Sequence, residues 1–420
     1  MNRFLLLPLR VSRPGLLVAG VLLGTSMVAQ AQPSATVSLG RSFNSFNEAS
    51  AADSRQSTDA AIEAEHLAAT GKLRLFYSLD AGTFTTPGDW TYYLHTGGAS
   101  WRFGKEAEDG KPAPQALFVG GSVAWRSNGA SWAAADYRGA ALFANVERHP
   151  STTSTVRFGY RLDARDFPDF SQLDQIEHDA FASVLVNFPT KTTLIAEVHG
   201  GAKDYQGGLL LVEEPITPST PTPQPIQPGM GMGRMGPGMG PSFRTTRVTA
   251  TQTPGELSGQ VTLLGRIAQS LSDRTGTSFQ YVRRSTFGGL PTAVVTTPAL
   301  FFDDGIYDDP FASHADWVRG ALKHVRPGGL EIEAVGAWMA KNYRGMQALD
   351  LEGEPVAGGS LREDRIWRAG LGWSIPLFPS KTGPVGLNLD VDYWYTRHRS
   401  NDLFYNYRSH VVGVGVTVKY

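Results

Sequence analysis

The residues best placed to do chemistry here are ions standing at alternate positions of otherwise apolar stretches. Arg74, Arg157, Arg161 and Arg368 carry positive charge, and Glu197, Glu331, Glu333, Asp390 and Asp392 carry negative charge, with Glu63 in the same setting. Their chemistry would be electrostatic: opposed charges along a water-filled passage orient polar solutes and set ion selectivity. If the passage were closed, the same groups would pair and pack instead. Covalent chemistry has little to stand on. The chain has no cysteine, which excludes thiol nucleophiles, thiolate metal sites and disulfides. No Gly-x-Ser-x-Gly elbow occurs, and local spacing sets no serine beside the His199 and Glu197 pair. The chain therefore reads as a non-enzyme without a cofactor. Met230, Met232, Met235 and Met239 form a soft-ligand cluster that could wrap Cu(I), and Asp303, Asp304, Asp308 and Asp309 an oxygen cluster that could hold Ca²⁺. Solvated loop residues are the simpler reading of both, and no metal is assigned.

The ions are positioned by segments of about 10 to 15 residues whose side chains alternate with period two, the signature of half-buried strands. Leu73, Leu75, Tyr77 and Leu79 alternate with Lys72, Arg74, Ser78 and Asp80. Val156, Phe158, Tyr160 and Leu162 alternate with Arg157, Gly159, Arg161 and Asp163, and Leu194, Ala196 and Val198 with Ile195, Glu197 and His199. Ile332, Ala334 and Trp338 oppose Glu331 and Glu333; Trp367, Leu371 and Trp373 oppose Arg368 and Gly370. The final hairpin, Pro384 to Tyr420, sets Leu387, Leu389, Val391, Tyr393 and Tyr395 against Asn388, Asp390 and Asp392, then Val412, Val414, Val416 and Val418 against Gly413, Gly415, Thr417 and Lys419. Trp101, Trp125, Trp338 and Trp373 read as lipid-interface anchors. Ser131 to Glu147 is a strand whose phase stays open.

Such strands bury nothing singly. Only helices and closed barrels satisfy every backbone polar group in lipid, and beyond the leader no apolar run is long enough for a helix to span. The expected fold is all-β: a single antiparallel transmembrane barrel of about sixteen strands over 32–420. The segment 54–67, with Ala60, Ile62 and Ala64 against Ala61, Glu63 and Glu65, decides the count. If it is a helix, 32–68 becomes a plug under fourteen strands. Connections alternate long and short back from the carboxy terminus: 341–361 against 327–329, 287–312 against 272–275, 204–255 against 189–190. External loops are long and periplasmic turns short, which puts both termini in the periplasm. The stretch 104–114 is long for a periplasmic turn.

Residues 1–31 read as a secretory signal peptide. Arg3, Arg10 and Arg13 precede an apolar Leu16 to Val28, and Ala29-Gln30-Ala31 fits small-x-small cleavage before Gln32. Residues 213–255, including GMGMGRMGPGMG at 229–240, are too rich in Pro, Gly and Thr to fold and read as a disordered external loop. A formal net charge of −1 argues against nucleic acid. Mean hydropathy of −0.20 is compatible with a barrel, whose strands give up half their residues to water.

A final strand that is apolar outward and ends on the aromatic Tyr420 resembles the closing strand of bacterial outer-membrane barrels. The stretches Asp166–Lys203 and Asp303–Tyr420 resemble a broad, poorly characterised group of such barrels. The likeness is carried by Lys341-Asn342-Tyr343, Ala348-Leu349-Asp350-Leu351, Arg362-Glu363-Asp364, Ser400-Asn401-Asp402 and Tyr405-Asn406-Tyr407. The carboxy-terminal half is similar to the barrel of surface lipoprotein assembly modifiers, without their helical-repeat domain. The resemblance implies a porin-like outer-membrane barrel in a Gram-negative-type bacterium, in contact with outer-membrane lipid and inserted by the barrel-assembly machinery through its closing strand. The expected function is passive diffusion of small polar solutes. The alternative is a non-conducting surface barrel whose loops 204–255 and 287–312 bind a partner or surface polysaccharide.

Overall fold

The computed structural model describes residues 32–419 apart from 49–51, 68–71, 85–89, 105–113, 130–132, 134–135, 170, 172–173, 206–256, 290–309, 351–354, 357 and 379–385. Its strands are β1 (Gln32–Glu48), β2 (Ala52–Leu67), β3 (Leu73–Phe84), β4 (Trp90–Gly104), β5 (Gln115–Asn128), β6 (Tyr137–Ser151), β7 (Ser154–Asp166), β8 (Gln175–Phe188), β9 (Thr192–Tyr205), β10 (Ser258–Ser270), β11 (Thr275–Gly288), β12 (Ser313–Val325), β13 (Glu331–Gln347), β14 (Leu361–Phe378), β15 (Gly386–Ser400) and β16 (Tyr407–Lys419). Each pairs antiparallel with its sequence neighbours, and β1 closes the ring against β16 with Leu39 opposite Val416. Closure leaves no free edge, so the ladder satisfies the backbone all the way round.

Register carries one apolar face around the outside. Leu75, Trp101, Val119, Phe158, Val198, Leu263, Phe279, Leu371 and Val414 all stand exposed on it. In water so continuous an oily band would be a liability; in lipid it is the required surface. Trp101 and Phe103 sit near one end of the band and Tyr93, Trp125 and Trp367 near the other, as interfacial anchors do. An even-stranded, closed, antiparallel cylinder with this exterior has the architecture of a bacterial outer-membrane barrel.

Segment 52–67 is β2, paired along one edge with β1 and along the other with β3. The fourteen-strand alternative with a plug therefore falls. Helix propensity of Ala and Glu is worth only tenths of a kcal/mol per residue, and two full ladders outweigh it. β6 starts at Tyr137 rather than 131 and runs to Ser151. Its phase is set by its partners: Leu142 faces Leu162 and Ala144 faces Val119, so Phe143, Asn145 and Glu147 turn inward. β13 runs on to Gln347, so Lys341-Asn342-Tyr343 belongs to a strand and not to a loop. Tyr343 is held opposite Ser313, and Asn342 opposite Glu363.

From β6 to β14 short connections gather at one end of the cylinder (152–153, 189–191, 271–274, 326–330) and long ones at the other (167–174, 206–257, 289–312, 348–360); outside that run the difference fades, with 105–114 at the short end and 49–51 at the long end. In the turn 326–330, Gly328 and Gly329 hold φ of 96° and 89°, where a side chain would be strained. The leader 1–31, the Met cluster, the Asp303–Asp309 cluster and Tyr420 lie outside the described residues.

Candidate functional site: the inner wall

Strand phase turns Glu63, Arg74, Arg157, Arg161, Glu197, Glu331, Glu333, Arg368, Asp390 and Asp392 to the inner face. Leu75, Phe158, Val198, Trp367 and Leu371 are outward, and strict alternation turns their neighbours in. The ions pair along the wall, between adjacent strands or within one. On one side, Arg74 Nη2 donates to Glu65 at 2.7 Å, and Arg157 Nε to Glu147 at 2.6 Å. Arg161 pairs with Asp163. On the other side, Lys323 meets Glu331 at 2.5 Å, and Arg319 Nη2 donates to Glu333 at 3.3 Å. Asp390 accepts from the hydroxyls of Ser374 and Thr417, each at 2.6 Å. Arg368 faces inward opposite Ala337 and Thr396. The Asp392 carboxylate lies over Gly413. Glu63 lines a recess of about 460 Å³ with Arg74, Phe76 and Phe118.

Sequence reasoning set Glu65 on the face of Glu63 but missed Glu147, Asp179, Arg319 and Lys323 as members of this wall. The signal was present for two of them. Trp317, Arg319, Ala321 and Lys323 keep period two along β12. Glu147 could not be placed while the phase of β6 was open.

Inward aromatics lie flat on the wall. Phe76 covers Gly98, Phe143 covers Gly120, Phe181 covers Gly159 and Trp394 covers Gly370. A glycine opposite each ring lets it lie down instead of projecting into the interior. Replacing Gly159 by valine should force Phe181 and Asn145 aside. It should destabilise by about 1–3 kcal/mol, read as a lower denaturant midpoint in micelles. Gly265→Val, where an added Cβ meets nothing, should stay near wild type.

His199 brings together residues that sequence spacing kept apart. Its Nε2 is 2.5 Å from Glu197 and its Nδ1 3.2 Å from Asp179. Ser183 lines the same recess of about 370 Å³. Carboxylates occupy both ring nitrogens, so neither is free to take a proton from the Ser183 hydroxyl. The group is an ion cluster on the wall and not a nucleophilic triad.

The long-loop end is packed differently. Arg362 and Asp364 are inward on β14, with side chains only 5% and 1% exposed. Arg362 makes a two-pronged pair with Asp364, Nε at 3.0 Å and Nη2 at 2.6 Å, and His398 Nε2 stands 3.1 Å from the same carboxylate. The guanidinium is sandwiched between Tyr405 at 3.3 Å and Tyr343 at 4.5 Å. Around it the connections are stitched together. Leu349 N–H donates to Asp402 at 3.3 Å, Leu403 N–H to Leu349 O at 3.0 Å, and Glu363 N–H to Asn401 Oδ1 at 2.7 Å. Tyr343, Leu349, Arg362, Asp364, Asp402 and Tyr405, at least one from each short motif that carried the resemblance, thus gather at this end. Across the mouth, Lys203 lies under Tyr205 and Phe311, and Phe167 packs on Tyr137.

No protein-family model matches the chain, and no curated protein matches it. Among solved structures it is similar to a bacterial polysaccharide outer membrane secretin, at 11% identity and TM-score 0.45 over 92% of this chain and 97% of that one. It is also similar to OccAB1 of Acinetobacter baumannii, at 8% identity and TM-score 0.45 over 94% and 98%, and to OpdL of Pseudomonas aeruginosa, at 8% and 0.42 over 94% and 99%.

Proposed function

We propose that this protein spans the bacterial outer membrane, exported by the leader 1–31, and lets small polar solutes diffuse through its lumen. One observation supports the reading above the others. Arg74, Arg157 and Arg161 point inward and are paired, yet their side chains remain 54%, 53% and 56% exposed. A dry core would not leave three guanidiniums half open; an aqueous interior would. Sixteen strands also enclose enough width for a water-filled passage. The wall ions would then act on solutes directly, with Arg157 and Arg161 beside Glu197 on one side and Glu331, Glu333, Arg368, Asp390 and Asp392 on the other.

The full chain in a planar lipid bilayer should give stepwise conductance. Arg157→Glu with Arg161→Glu should shift the reversal potential in a salt gradient toward cation preference. A bilayer that stays silent at every voltage would overturn the channel. The packed long-loop end around Asp364 and Lys203 favours the second reading, a closed surface barrel whose loops bind a partner. A silent bilayer with correctly inserted protein is the result that reading requires.

A further inference from the structure

The outward face of β14, β15 and β16 changes character at the long-loop end. Below, it is Leu371, Val391, Tyr393, Val412 and Val414. Above Trp367 and Tyr395 it becomes arginine. Arg365 stands directly opposite Arg399, and Arg397 directly opposite Arg408. Arg397 and Arg399 are two apart on one strand and so share the face. Like charges placed directly across a ladder repel, and here two such pairs adjoin.

Nothing among the described residues neutralises them. No ion pair involves any of the four. Glu363, two residues beyond Arg365, is the one carboxylate on the outward faces of these three strands. Arg399 leans over the Trp367 ring at 5.5 Å. The Nε of Arg397 is buried without any hydrogen-bond partner, although a buried guanidinium nitrogen normally has one.

We infer that this arginine patch binds the phosphate groups of a lipid in the leaflet on the long-loop side. The inference rests on the membrane-spanning reading above. Three features select the ligand. Arginine forks match phosphate oxygens two at a time. Four positive charges at adjacent register positions call for more than one negative charge. The patch lies on the lipid-facing side, just beyond Trp367 and Tyr395, at the depth of headgroups. Acyl chains attached to such phosphates would run down over Tyr393, Val412 and Leu371. A soluble anion would gain nothing from that apolar continuation.

The test uses the full chain in phosphatidylcholine nanodiscs carrying diphosphoryl or monophosphoryl lipid A, with retained lipid read by native mass spectrometry. Diphosphoryl lipid A should be retained in preference to the monophosphoryl form, and both in preference to phosphatidylcholine. Arg397→Gln with Arg408→Gln should lower retention by about tenfold or more, as expected for losing charge-assisted hydrogen bonds. Arg399→Gln alone should give a smaller loss in the same direction. Arg138→Gln, on the far side of the barrel opposite Asp166, should change nothing. Retention indifferent to phosphate number or to the double substitution overturns the site while leaving the barrel's insertion intact. Displacement by millimolar inorganic phosphate would assign the patch to a free anion and overturn the lipid. Failure to insert into nanodiscs would overturn the membrane span and the site together.

Discussion

Replacing Asp364 by asparagine should destabilise the long-loop end by about 3–5 kcal/mol, the usual consequence of leaving one partner of a buried ion pair uncompensated. Asp364 is 1% exposed and receives two nitrogens of Arg362, with His398 at 3.1 Å. Without its charge, Arg362 stays buried between Tyr343 and Tyr405 with no counter-ion. The measurable results are a lower denaturant midpoint in micelles and new protease cleavage within 401–406, since Asp402 and Asn401 fasten that connection to Leu349 and Glu363. Arg362→Lys should be nearly as damaging, because an ammonium can neither fork onto Asp364 nor stack between two rings. The paired change Arg362→Met with Asp364→Leu should recover most of the loss, since apolar residues of similar volume leave no buried charge behind. Equal stability for Asp364→Asn and wild type would remove this cluster as the fastener of the loops.

The second large effect comes from two adjacent residues. Leu263 and Leu264 sit side by side in the middle of β10, at one depth, on opposite faces. Leu263 is 51% exposed and outward, whereas Leu264 is inward opposite Glu197. Leu263→Arg should cost about 2–4 kcal/mol, the penalty for a cation on the lipid face near mid-bilayer. Leu264→Arg should be close to neutral, because it enters a wetted wall with a carboxylate opposite. Refolding yield into vesicles and the midpoint of urea unfolding would both rank them. A water-soluble protein with a dry centre would reverse the order, so the pair decides between the two kinds of solvent.

Much of this is legible in the amino-acid sequence. Val156 to Asp163 and Leu387 to Tyr395 alternate so strictly that the inner and outer faces follow from period two, and the inward placement of Arg157, Arg161, Asp390 and Asp392 follows with them. Where both faces carry small residues the signal vanishes. In β6, Gly139, Ala140, Ala141 and Ala144 look alike from either side, and only pairing with Leu162 and Val119 fixes the phase. β2 was ambiguous for a related reason: Ala and Glu serve a helix as well as a strand, and the ladders on both its edges decide.

The sequence by itself determined the class of solvent on each face, because side-chain alternation is a local property written within a few residues. It could not determine which ions meet. Asp179 reaches His199 across twenty residues, Arg362 finds Tyr405 across about forty, and Asp364 finds His398 across about thirty-five. Nor could it reveal that Arg365, Arg397, Arg399 and Arg408 share one patch. Those meetings depend on how each strand is registered against the next, and register is a long-range quantity set by closing the whole cylinder.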